Sequence, residues 1–222
     1  MNSSRHSFSA YGCLLFMCSF LWGADFQLET VRSFPNEISE QIRESLNSQG
    51  VRILKEGKVV GEFWFPREVS TEEEVSTSLG VSFGQVKESV FLGVARFPEN
   101  WSDYRGRAIA QGTYTLRYGI QPADGNHMGV TYYRDFLLLL PTSVDSDPDA
   151  IYSREELVDL STQVSGRPHP TVLSLFPVYE EIVNPKLLKN NIEYHLNSYA
   201  LITQITCNNI KKKGGSITKL FY

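Results

Sequence analysis

The stretch GTYTLRYGI, residues 112–120, alternates without a break. Tyr114, Leu116, Tyr118 and Ile120 fall on one face, and Thr113, Thr115 and Arg117 fall on the other. A period of two carried by aromatic and β-branched residues belongs to a strand that buries one face. RDFLLLL, residues 134–140, is its natural partner, apolar at successive positions as in a central strand covered on both sides. The pattern predicts antiparallel strands over 112–120 and 131–140, joined by 121–130, and so a chain organised around a sheet.

Other segments agree. VRILKEGKVVGEFWF (51–65) reads as a hairpin turning at EGK, and ESVFLGVARF (88–97) and TVLSLFPV (171–178) read as strands. Two helices are expected. NEISEQIRESLN (36–47) places Ile38, Ile42 and Leu46 four apart after Pro35. In SREELVDLSTQVSG (153–166), Ser153 and Glu156 have capping-box spacing, and Leu157, Leu160 and Val164 form the apolar stripe. ENWSDYRGRAIAQ (99–111) reads as a loop. With no regular βαβ alternation, the elements predict a mainly β chain, an antiparallel β-sandwich with two short helices.

The first 24 residues are set apart. Arg5 and His6 precede a ten-residue apolar run, CLLFMCSFLW, and Gly23–Ala24 come before the first acid, Asp25. This is the pattern of a secretory signal peptide cut near Ala24. The run is half the roughly 20 residues a membrane-spanning helix needs, and no later run is as long. Export implies a secreted or periplasmic protein. Of the three cysteines only Cys207 would remain, so no internal disulfide is expected.

Residues 25–185, read as one β-rich domain, hold 14 lysines and arginines against 24 acids. Such a body argues against nucleic acid as a partner. Residues 186–222 reverse the sign, with six lysines against one glutamate. This segment lacks sustained periodicity and reads as one strand, SYALITQIT, plus a disordered basic tail. The alternative is that a reading-frame shift has replaced the natural C-terminus.

The chain carries no nucleophile elbow, zinc-protease motif, phosphate loop or dinucleotide fingerprint, so no cofactor and no metal centre is implied. Candidate ligand-binding residues gather around the predicted hairpin. His127 sits near Asp124 in the connection, and Asp135 lies on the returning strand. His169 would have to converge on them for metal or hydrolytic chemistry. Arg117 and Arg134, with Arg105 and Arg107, could clamp a small anionic ligand, since a guanidinium pairs bidentately with carboxylate or phosphate. A face carrying Trp101, Tyr104, Tyr132 and Tyr133 would suit a carbohydrate instead.

YRGRAIAQGTYTLRYGIQPADGNHMGVTYYRDFLLLLP (104–141), with GVSFGQV, FLGVARFP and SGRPHPTVLSL, resembles a family of uncharacterised exported bacterial proteins. The resemblance spans about residues 38–177. It implies export and a β-rich fold, and it attaches no activity. The sequence thus predicts an exported binding or structural module. The alternative is a secreted hydrolase or metal-dependent enzyme using His127 and neighbouring carboxylates.

Overall fold

The computed structural model describes residues 26–72, 78–102, 106–125, 127, 133–177 and 185, and the backbone of 186–190, 198–204 and 217–221. The expected signal peptide, residues 1–24, lies outside the described residues.

In chain order the elements are β1 (Phe26–Val31), α1 (Glu40–Ser45), β2 (Gly50–Lys55), β3 (Lys58–Trp64), β4 (Phe91–Phe97), β5 (Trp101–Ser102), β6 (Ala108–Ile109) and β7 (Gly112–Ile120). They are followed by β8 (Asp135–Pro141), α2 (Arg154–Ser165), β9 (Val172–Pro177), β10 (Lys186–Asn190), β11 (Ser198–Gln204) and β12 (Ile217–Phe221). The chain is mainly β and antiparallel, with two helices, as expected. One curled sheet runs β1-β2-β3-β4-β7-β8-β9 and continues through β12, β11 and β10, while β5 and β6 pair separately.

The β7–β8 hairpin forms as the alternation dictates, with Leu116 opposite Leu139 and Tyr118 opposite Leu137. The EGK hairpin forms too. Its turn is the two residues Glu56 and Gly57, both at positive φ, and Lys58 already belongs to β3. Two-residue turns of that hand match the twist of the flanking strands. The predicted 88–97 strand begins only at Phe91. Gly93 explains a local irregularity in β4, because at φ +138° an added Cβ would sit 2.3 Å from the Trp64 carbonyl oxygen. Only glycine permits that approach.

The sheet curls around its larger core. Val51, Ile53, Phe63, Ala95, Phe97, Tyr114, Leu116, Tyr118, Leu137, Leu139, Leu173 and Leu175 come from alternate positions of six strands and share the inner face. Each such large side chain contributes about 1.5–3 kcal/mol on burial.

The outer face carries both helices. α1 seats Ile38, Ile42 and Leu46 against Trp64, Phe91 and Val94, and α2 seats Leu157 against Leu138 and Leu140. α2 matches its prediction down to the capping box, with Gly166 closing it in the left-handed conformation. α1 is shorter than the predicted 36–47. Its cap is Ser39, whose hydroxyl accepts from the Ile42 amide, and Leu46 turns extended to bridge Pro66.

Also on the outer face, Glu29, Arg52, Glu62 and Arg96 stand opposite one another across β1 to β4. Glu62 is buried between Arg52 at 2.7 Å and Arg96 at 3.2 Å. The segment expected to hold one strand and a tail carries SYALITQ as β11, with β10 and β12 on either side of it.

Candidate functional site

Arg117 is the starting point. It projects from the middle of β7 onto the outer face and is completely buried. A buried guanidinium needs a counter-ion and acceptors for its five N–H bonds. Asp145, equally buried, accepts from Nε at 2.8 Å and from Nη2 at 2.6 Å. Nη1 donates to the carbonyl oxygens of Ser89, Pro148 and Ala150 at 3.0, 3.1 and 2.8 Å, and Nη2 also donates to that of Asp147 at 2.5 Å. The guanidinium lies 5.4 Å from the ring centres of both Phe91 and Tyr152. Thr115 and Tyr152 complete the shell by donating their hydroxyls to Asp145, at 2.5 and 3.1 Å. Burial, and then the charge of Asp145, push the Tyr152 phenol above its ordinary pKa.

This network braces one side of a cleft of about 600 Å³. The wall it holds is the irregular segment after β8, contributing Asp147, Pro148, Asp149 and Ile151. α1 contributes Gln41, Glu44 and Ser45, the chain after β3 contributes Pro66, Glu68 and Ser70, and Val90 with Phe91 completes the lining. Ser39 links two of these parts, capping α1 while donating its hydroxyl to the Ser146 carbonyl at 2.5 Å. Among the described residues that line it there are four carboxylates and no lysine or arginine. They surround an apolar surface of Pro66, Val90, Phe91 and Pro148, with Ile151 exposed at its rim. Such a cleft attracts cations and repels anions.

The described residues singled out in the sequence do not line this cleft, and Arg117, Asp124, His127, Arg134, Asp135 and His169 occupy four separate places. Asp124 and His127 do meet: Nδ1 of the ring lies 2.6 Å from Oδ1 of Asp124, and the His127 amide donates to the same oxygen. Both are exposed. Arg134 ties that connection to another segment, donating to the Gln121 carbonyl at 2.7 Å, the Ser78 hydroxyl at 2.9 Å and the Leu79 carbonyl at 3.1 Å.

Asp135 points to the inner side and is buried. It accepts from the Ser82 and Phe83 amides at 2.8 and 3.2 Å and from the Tyr118 hydroxyl at 2.6 Å. Burial first, then the Asp135 charge and hydrogen bond, drive the Tyr118 phenol far above its ordinary pKa. His169 is exposed beyond α2, where its carbonyl accepts from Ser165. Arg117 spends every donor inside the chain, which leaves none for an anionic ligand.

Among the described residues, no three of His, Cys, Asp or Glu converge as a metal ion would require. Tyr133 packs edge-on against Phe176 at 5.1 Å, while Tyr104, Arg105 and Tyr132 lie outside the described residues.

Sequence reasoning missed Asp145 and the cleft. Asp145 stands 28 residues from Arg117 in TSVDSDPDA, where three acids in five residues were the available signal. No family model, curated protein or solved structure matches the chain.

Proposed function

We propose that this is an exported bacterial binding module that takes a cationic ligand in the acidic cleft. The carrying observation is the lining: Glu44, Glu68, Asp147 and Asp149 around an apolar floor, in a volume within the roughly 300–1,000 Å³ of small-ligand sites. The ligand class that fits is an amine with an apolar portion, such as a polyamine or a lysine-bearing peptide. The curled sheet supports the cleft, its inner side filled by apolar side chains and its outer side carrying α1 and the irregular segments that line it.

The Asp124–His127 pair supports the hydrolytic alternative less well. It has the orientation of a general base on its carboxylate, yet among the described residues no hydroxyl or thiol nucleophile is bonded to the ring.

Calorimetric titration with spermidine tests the reading. Binding should weaken as salt rises, because exposed ion pairs are screened. It should be abolished in the triple variant Glu44→Gln, Glu68→Gln, Asp149→Asn. Equal binding by that variant, or no binding by the native protein at low salt, defeats the proposal. Intact mass of the protein recovered from its host tests export, and the expected chain begins near Asp25.

A further inference from the structure

We infer that Arg117 is the positioning residue of the acidic cleft, fixing floor and wall together from behind without touching the ligand. The affinity part of this inference rests on the cation-binding reading above, and the structural part stands without it.

Two observations carry it. The first is how the wall is held. Residues 145–151 have no strand or helix of their own, and the wall contributes three of the carbonyl groups that Arg117 gathers, those of Asp147, Pro148 and Ala150. Bonds inside the segment run from the Ala150 amide to the Asp147 carbonyl and from the Asp149 amide to the Asp147 carboxylate, and they anchor it to nothing else. Among the described residues its other ties outward are at its start. There the Asp145 amide donates to the Pro141 carbonyl, the Asp145 carboxylate accepts from Thr115 and Tyr152, and the Ser146 carbonyl accepts from the Ser39 hydroxyl. Just past its end the Tyr152 amide donates to the Ser89 hydroxyl, so from 147 to 151 the outward hydrogen bonds are those of Arg117.

The second is Ser89 itself. It is completely buried, and it holds φ +76°, a conformation L residues rarely adopt. Such strain persists only where the surroundings over-determine it. Here the surroundings are three bonds. The Ser89 amide donates to the Tyr118 carbonyl, its carbonyl accepts from Arg117, and its hydroxyl accepts from Tyr152. The bend at Ser89 delivers Val90 and Phe91 to the cleft, and Phe91 returns to lie against the guanidinium. One side chain therefore grips the bend that presents the floor and the carbonyls that shape the wall.

A planar fork is what such a task needs. Lysine keeps the charge but offers a single ammonium, which cannot span Asp145 on one side and four carbonyls on the other.

Amide hydrogen exchange on Arg117→Lys is the test, with Leu137–Leu139 of the central strand as the internal reference. The expected result is faster exchange at 89–91 and 145–152 with the reference amides still protected, and spermidine affinity reduced roughly tenfold or more, about 1.4 kcal/mol. Native-like protection at 89–91 and 145–152 overturns the inference, as does a loosened wall with affinity unchanged.

If Arg117→Lys does not fold, Tyr152→Phe removes one bond to Asp145 and leaves the sheet intact. It should raise exchange over 145–152 in the same direction, and unchanged exchange there overturns the inference. If the native protein fails to bind spermidine, the cation-binding reading falls alone, and the exchange measurement still decides whether Arg117 positions the cleft.

Discussion

Replacing Tyr118 by Phe deletes one oxygen from the centre of the fold. The ring is completely buried and its hydroxyl donates to Asp135 at 2.6 Å. After the change Asp135 keeps the Ser82 and Phe83 amides but loses its shortest partner. A hydrogen bond to a charged acceptor contributes about 1.5–3 kcal/mol, and the volume lost is too small for a serious cavity term. Urea unfolding near neutral pH should therefore show a loss of about 1.5–3 kcal/mol with an unchanged dependence on denaturant.

Alkali supplies an independent check. The folded phenol is shifted upward, so its contribution is fully present below the unfolded value of 10.0. Above that pH the unfolded chain releases the proton while the folded one holds it, and stability falls. One such tyrosine costs about 1.4 kcal/mol per pH unit there. The Phe variant has no phenol at this position, so the gap between the two proteins should narrow as pH rises beyond 10. Equal stability near neutral pH, or a gap that stays constant into alkali, would refute the role assigned to this pair.

Further outcomes follow from the same structure. Leu116→Ala, at a fully buried inner position, should cost about 2–5 kcal/mol by chemical denaturation. Gly93→Ala should leave little folded protein by circular dichroism, because the new Cβ would meet the Trp64 carbonyl at 2.3 Å. His127→Ala should shift the thermal midpoint little, since the ring is exposed and its bond to Asp124 is local. Deleting residues 205–222 removes β12 from between β9 and β11. The bared edges should drive self-association visible by size-exclusion chromatography, and a monomer with an unchanged midpoint would show β12 to be dispensable.

What could be read in the sequence was whatever a short window specifies. The alternation of 112–120 gave β7 and its inner face, and Ser153 with Glu156 gave the start of α2 to the residue. Ser39 was overlooked because the apolar spacing of Ile38, Ile42 and Leu46 runs past it, and spacing alone does not mark where the backbone leaves the helix. β5 and β6 are two residues each, below the length at which periodicity can be seen.

The cleft was illegible for a different reason. Gln41, Glu68, Phe91 and Asp149 come from four separated segments, and only the curl of the sheet assembles them. Arg117 was visible as a charge on the polar face of a strand. Its partner was not, because a long-range ion pair leaves no local pattern, and nearer acids such as Asp135 competed for the assignment.

Arg117 and Tyr118 are consecutive, and they face opposite sides of β7. Arg117 is anchored to the loop after β8 on the outer side, and Tyr118 to Asp135 at the start of β8 on the inner side, which in turn holds the Ser82 and Phe83 amides. A slip of one residue between β7 and β8 would exchange their sides. The guanidinium would then enter the apolar interior among leucines, far from Asp145, while the phenol would leave Asp135 with two backbone partners. An unpaired buried charge costs several kcal/mol, so the misregistered hairpin is penalised twice for one error. Neighbouring polar side chains of opposite facing thus act as a proofreading device during folding. They discriminate against an alternative that the apolar run of β8, Phe136 to Leu140, would by itself tolerate in either register.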